Sequence, residues 1–106
     1  TGTEGDPNAQ GFDHFFGYIC QRVAHNYYPD HLHRNEQTIS INPDGSEVDY
    51  AADLMANEAL DFLDKTNGQP FLMVYATPVP HLALQVPQDS LDEYKGAFEE
   101  TPYDGS

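Results

Sequence analysis

The sequence predicts an α/β fold in which one long helix feeds directly into a buried strand. Three observations carry this. Ala51, Leu54, Met55, Ala59, Phe62 and Leu63 recur at helical spacing over residues 49–66, with Asp53, Asn57, Asp61 and Asp64 mostly on the other face. Phe71-Leu72-Met73-Val74-Tyr75-Ala76 follows as a continuous apolar run of strand length, the pattern of a strand covered on both faces in a parallel sheet. Thr77-Pro78-Val79-Pro80-His81 then stops it. Each proline removes a backbone donor and keeps the residue before it out of the α region. Helix, short glycine-containing link and buried strand together make the α–β half of a βαβ unit.

The remaining elements are shorter. Residues 1–11 are polar and rich in turn formers, and read as loop. Gly11 to Ile19 packs aromatics between two glycines, a plug that anchors a loop, and Asp13 could cap a helical turn running to about Arg22. Leu32, Ile39 and Ile41 flank Asn35-Glu36, which predicts a β-hairpin with a turn at those two residues, although glutamate is an unusual occupant of the second position. Residues 42–46, Asn-Pro-Asp-Gly-Ser, form a second turn. Ser46 or Asp49 can cap the long helix, and Asn67-Gly68 stops it. Leu91 to Tyr94 predicts a short helix near the end.

Composition narrows the function. The 106 residues carry 18 acidic and 4 basic side chains, a net charge of -14. Neutralising phosphates needs clustered lysine and arginine, and Arg22, Arg34, Lys65 and Lys95 do not cluster, so no nucleic-acid partner is expected. No apolar run approaches the roughly 20 residues a bilayer span needs. Cys20 is the only cysteine, which excludes an internal disulfide and a multi-cysteine zinc site. The chain begins with Thr1 and ends in turn-forming residues, so it reads as part of something longer.

Among candidate chemical groups His81 is the most pointed. It falls just past the carboxyl end of the predicted parallel strand, where α/β proteins place ligands, and an imidazole can donate a proton to a developing oxyanion. The structural alternative is a loop histidine bonded to backbone. His25, His31 and His33 invite a metal reading, but only Asp30 adds a nearby ligand, and no metal site is expected. The carboxylates of residues 61–64 and 89–93 read as solvated faces. Phosphate-loop and Gly-x-Ser-x-Gly patterns do not occur.

Gly11-Phe12-Asp13-x-Phe15-Phe16-Gly17-Tyr18, followed by Ala24-His25-Asn26-Tyr27-Tyr28-Pro29-x-x-Leu32-x-Arg34-Asn35, resembles the middle of a type I sulfatase. The helix, Pro70 to His81, Leu84 to Asp89, Gly96-x-Phe98 and Pro102-Tyr103 continue in the same order, so the resemblance covers residues 11–104. It is nearest to arylsulfatase A-like enzymes that act on sulfated carbohydrates. The resemblance implies an alkaline-phosphatase-like fold, a partial sandwich with a mixed, largely parallel sheet flanked by helices. It also implies hydrolysis of a sulfate ester through formylglycine and calcium, in an exported, periplasmic or lysosomal setting. Of the family's catalytic residues, it carries over only the histidine after the strand, at His81. His25 and Asn26 fall in a loop that approaches substrate in relatives, and anchoring that loop is their alternative role.

The departures are equally definite. Cys20 is followed by Gln21-Arg22-Val23, not by the x-Pro-x-x-Arg of a formylglycine site, and the family's acidic calcium ligands have no counterpart in this sequence. Residues 1–106 are therefore expected to be an internal, incomplete segment of a catalytic domain, inactive alone. Two rivals remain: a phosphodiesterase or phosphonate hydrolase of the same superfamily, and a non-catalytic acidic binding domain.

Overall fold

Alternating side chains make the hairpin. In a computed structural model, which describes residues 2–99, 101, 102 and 104, strand β2 is His31–Arg34 and β3 is Gln37–Ser40. They pair antiparallel with Leu32 opposite Ile39 and His33 opposite Thr38. Leu32 is fully buried, while His31 and His33 share the other face with ring centroids 5.4 Å apart. The turn falls at Asn35-Glu36 as expected, and the left-handed conformation is taken by Asn35, at φ 52°. Asparagine tolerates that region because its short amide bonds locally. Here its Oδ1 accepts the Phe15 N–H at 2.9 Å and an Asn8 amide hydrogen at 3.1 Å.

A third strand, β1 (Phe16–Gly17), adds to the outer side of β2, with Phe16 opposite Arg34 and Gly17 opposite His33. The expected helical turn capped by Asp13 is not formed; the aromatic stretch is drawn into the sheet edge instead. Gly17 has φ 144°, a backbone that other residues rarely adopt, and Met55 Cε lies 3.8 Å from where its Cβ would stand.

Helix α1 (Ala51–Lys65) closes the core. Ala51 packs with Leu32 and Ile41, and Phe16, Tyr18, Ile39 and Leu54 surround them. The cap differs from the expected Ser46 or Asp49. Tyr50 is the N-cap without a side-chain bond, because the Asp49 backbone is already held on both sides by Asn42. The stop is as read: Asn67 and Gly68 take φ 48° and 77°. The turn at residues 42–46 and a short helix α2 (Gln88–Tyr94) are also present.

The expected largely parallel sheet is not seen among the described residues. The strands described are antiparallel, and Phe71–Ala76 forms no strand and pairs with none of them. That run was expected to be buried on both faces, yet Phe71, Leu72, Val74 and Tyr75 are 52%, 78%, 67% and 48% exposed. A strand is buried only where neighbours cover its edges and faces. Here no strand pairs with the run, and its cover is partial, with Phe71 edge-on to Phe62 at 5.9 Å and Met73 half-buried. The surface reflects this: 8221 Å² is accessible, against about 6,000 Å² for a compact monomer of this mass. The radius of gyration is 16.4 Å, where about 13 Å is usual for this length.

Candidate functional site

The prolines that end the apolar run also shape the loop carrying His81. The Val79–Pro80 peptide is cis, Thr77 Oγ1 accepts the Val79 N–H at 3.3 Å, and the His81 N–H donates to the Pro78 carbonyl at 3.0 Å. On the other side, Val23–His25 is a 3-10 turn started by the Cys20 carbonyl, which accepts the Val23 and Ala24 N–H groups at 3.1 Å. The Asn26 N–H closes it on the Val23 carbonyl at 3.0 Å.

These two loops meet. The His25 and His81 rings lie 5.0 Å apart, tilted by 54°, although 56 positions separate them in sequence (81 minus 25). Both side chains are exposed, so either imidazole can reach an incoming ligand. Asn26 stands beside them with its hydrogen bonds turned to structure. Its Oδ1 accepts the Tyr28 N–H at 3.0 Å and its carbonyl accepts the Tyr18 hydroxyl at 2.8 Å. Burial pushes the Tyr18 phenol well above its ordinary range, with Tyr27 and Tyr50 adding to the shift, so it remains a donor.

Tyr27, two residues after His25, is 2% exposed. Its hydroxyl donates to the Pro78 carbonyl at 3.2 Å, and its N–H donates to Gln85 Oε1 at 2.8 Å. The Tyr50 hydroxyl fixes Gln85 from behind through the Gln85 carbonyl at 3.2 Å, and Tyr50 packs edge-on against the Tyr27 ring at 6.2 Å. Tyr27 and Gln85 were not legible as partners in the sequence. Both are unremarkable polar or aromatic residues in loops, and only the tertiary fold brings residue 85 to residue 27.

A groove of about 590 Å³ opens between β1, α1 and residues 72–78, and its lining includes Tyr18, His25, Met55, Glu58, Tyr75 and His81. Within it, Glu58 accepts from Arg34 Nε at 2.9 Å and Nη2 at 2.6 Å, while His14 Nε2 lies 3.0 Å from Glu58 Oε1. The Arg34 hydrogen bonds hold the Glu58 carboxyl below its usual range.

The candidate metal histidines do not converge. His31 is bonded to Asp30, His33 has a buried Nδ1 without a protein partner, and His25 belongs to the other cluster. Among the described residues, no group of three His, Cys, Asp or Glu side chains could hold a metal ion. The described residues therefore do not fit a calcium centre. Cys20 is exposed, with its thiol lowered by backbone hydrogen bonds from Val23 and Arg22 and by the Arg22 charge, but it lacks the sequence context for conversion to formylglycine. No helix among the described residues is long and apolar enough to cross a membrane.

The sequence model of the sulfatase family matches residues 2–104. The N-acetylglucosamine-6-sulfatase of Homo sapiens is 35% identical over 107 residues, which take in 90% of this chain and 17% of that protein. Its Bos taurus counterpart is 34% identical over the same shares. An uncharacterized sulfatase of Escherichia coli strain K12, YdeN, is 30% identical over 97 residues, 90% of this chain and 16% of its own length. The chain thus spans only 16% to 17% of the length of these curated relatives. With the family match running almost end to end, and with both the aromatic block and the His81 strand-and-loop inside it, the chain belongs to the sulfatase family.

Proposed function

We propose that residues 1–106 are an internal segment of the catalytic domain of a sulfuric ester hydrolase, and that His81 assists departure of the alcohol. The observation that carries this reading is the pairing of His25 and His81 at 5.0 Å on two exposed, backbone-anchored loops. Hydrolysis breaks the S–O bond of R–O–SO3⁻, and the departing oxygen must gain a proton to leave as the alcohol. An imidazole beside that oxygen supplies the proton as negative charge develops, and such assistance typically contributes about 10²–10⁴-fold. His25 and Asn26 line the approach, where an imidazole and an amide can bond to substrate oxygens.

In this reading formylglycine and calcium would be held by residues outside this segment, where they would provide the nucleophile and the grip on sulfate. The exposed run Phe71–Ala76 and the excess surface support an incomplete domain, since the run becomes an internal strand once neighbours cover it. The family match favours a sulfate ester over a phosphodiester or phosphonate. Three relatives are named for a sulfated amino sugar, so a 6-sulfated N-acetylglucosamine is the first substrate to test. An exported, periplasmic or lysosomal location follows from the same reading.

The test is His81→Ala in the sulfatase that carries this segment, assayed on two esters. For a sugar sulfate, whose alkoxide leaves poorly, kcat falls about 10²-fold or more. For an activated aryl sulfate, which leaves without a proton, the fall is much smaller. Equal kcat for variant and parent on the sugar sulfate would refute the role.

A further inference from the structure

Resting on the catalytic reading of His81, we infer that Tyr27 is a positioning residue that locks the His81 loop to the His25 loop through the Pro78 carbonyl. That carbonyl has two acceptor sites and both are used: the His81 N–H donates at 3.0 Å and the Tyr27 hydroxyl at 3.2 Å. The hydroxyl therefore bears on the same oxygen that fixes the His81 backbone. Tyr27 is held at its other end as well. Its N–H bonds Gln85, its carbonyl accepts the first N–H of α1 from Ala51 at 2.9 Å, and its ring is almost wholly buried. A residue held by its N–H, its carbonyl and its hydroxyl sets a distance between the loops it joins, whereas the exposed His25 ring meets the His81 ring and, at 3.5 Å, the Gln21 amide. The Gln85 amide extends the lock to the next segment, tied in turn by Tyr50.

Tyr27→Phe keeps the ring and deletes the one bond to Pro78. Two esters in the sulfatase that carries this segment again give the readout, with His81→Ala alongside. On a sugar sulfate, kcat for Tyr27→Phe is expected to fall about tenfold, between the worth of one hydrogen bond and the roughly 10²-fold effect of a 1 Å misplacement. On an activated aryl sulfate it stays close to the parent, because no proton is needed there. The His81 amide exchanges faster in the variant. A merely structural loss lowers both esters alike, and that result, or no loss on either, would overturn the inference. Should Tyr27→Phe fail to fold, Gln85→Met removes the acceptor for the Tyr27 N–H and is judged by the same two esters. If His81→Ala shows the selective loss and the Tyr27 and Gln85 variants do not, the positioning role alone is lost. If His81→Ala has no effect, the catalytic reading falls and the Tyr27 role with it.

Discussion

Glu58 receives Arg34 with both carboxylate oxygens, at 2.9 and 2.6 Å, and so ties α1 to the end of β2. The pair is planar fork against planar carboxylate, the geometry in which arginine outperforms lysine. Arg34 also lies 5.2 Å from the centre of the Phe16 ring, so one side chain joins the helix, β2 and β1.

This relationship makes stability depend on acid. Arg34 holds the Glu58 carboxyl below its usual value in the folded chain. A carboxyl with a depressed folded pKa contributes stability above its unfolded pKa, and that contribution is lost as pH falls through the folded one. Arg34 is 43% exposed, so solvent screening keeps the effect small, on the order of 1 kcal/mol. Urea midpoints of the chain measured from pH 7 to pH 3 should fall on the acid side, and Glu58→Gln should flatten that fall. A parallel acid limb in Glu58→Gln would assign it to other carboxylates.

Asn42 gives a second, larger expectation. It is 1% exposed and fully bonded: its Nδ2 donates to the Pro29 and Asp49 carbonyls at 3.0 and 2.8 Å, and its Oδ1 accepts from Val48 and Asp49 at 3.1 and 2.7 Å. Its φ is 38°, where asparagine is tolerated better than most residues. Asn42→Ala leaves the buried Pro29 carbonyl unpaired and frees the part-buried Val48 and Asp49 groups, and should cost about 1–3 kcal/mol. Asn42→Asp should be no milder, because a carboxylate would face two carbonyl oxygens. Chemical denaturation of the two variants checks both magnitude and order.

Much of the fold was legible because it rests on local pattern. The 3.6-residue repeat located α1, Asn67-Gly68 located its end, and flanking Leu32 and Ile39 located the hairpin. What failed depended on distant chain. Asp49 looked like a cap, but Asn42 had already taken its backbone, and no pattern around residue 49 says so. Phe71–Ala76 has the composition of a buried strand but forms none among the described residues, because strand pairing is a property of neighbours. At the site, the proline-stopped end of the run pointed to His81, and the resemblance pointed to His25. Their contact, and the Tyr27 bond to Pro78, arise from loop closure over more than fifty residues, which carries no local signature.

The uncovered run should behave as a sticky edge. Leu72 and Val74 are 78% and 67% exposed in a segment that pairs with no strand. The purified 106-residue chain should bind a hydrophobic dye and self-associate with rising concentration. Leu72→Lys with Val74→Glu should suppress both while leaving the helical circular-dichroism signal in place, since neither side chain is in the Leu32, Ile41 and Ala51 core. Monomeric behaviour of the parent at high concentration would mean that the edge is covered in solution.

The same chain should not turn over any sulfate ester by itself. Its described acids gather no metal site, and the acid that lines the groove, Glu58, is committed to Arg34 and His14. Its one thiol lacks the sequence that directs formylglycine formation. The net charge of -14 also repels a sulfate anion, and the four basic side chains of this chain do little to offset it. Under the proposed reading the chain supplies a proton donor, His81, beside a second imidazole, and a proton donor accelerates only a bond already under attack. Assays of the purified chain with an aryl sulfate and a sugar sulfate, with and without added calcium, should therefore stay at the uncatalysed rate. Turnover above it that disappears in His81→Ala would mean that the nucleophile lies within these 106 residues.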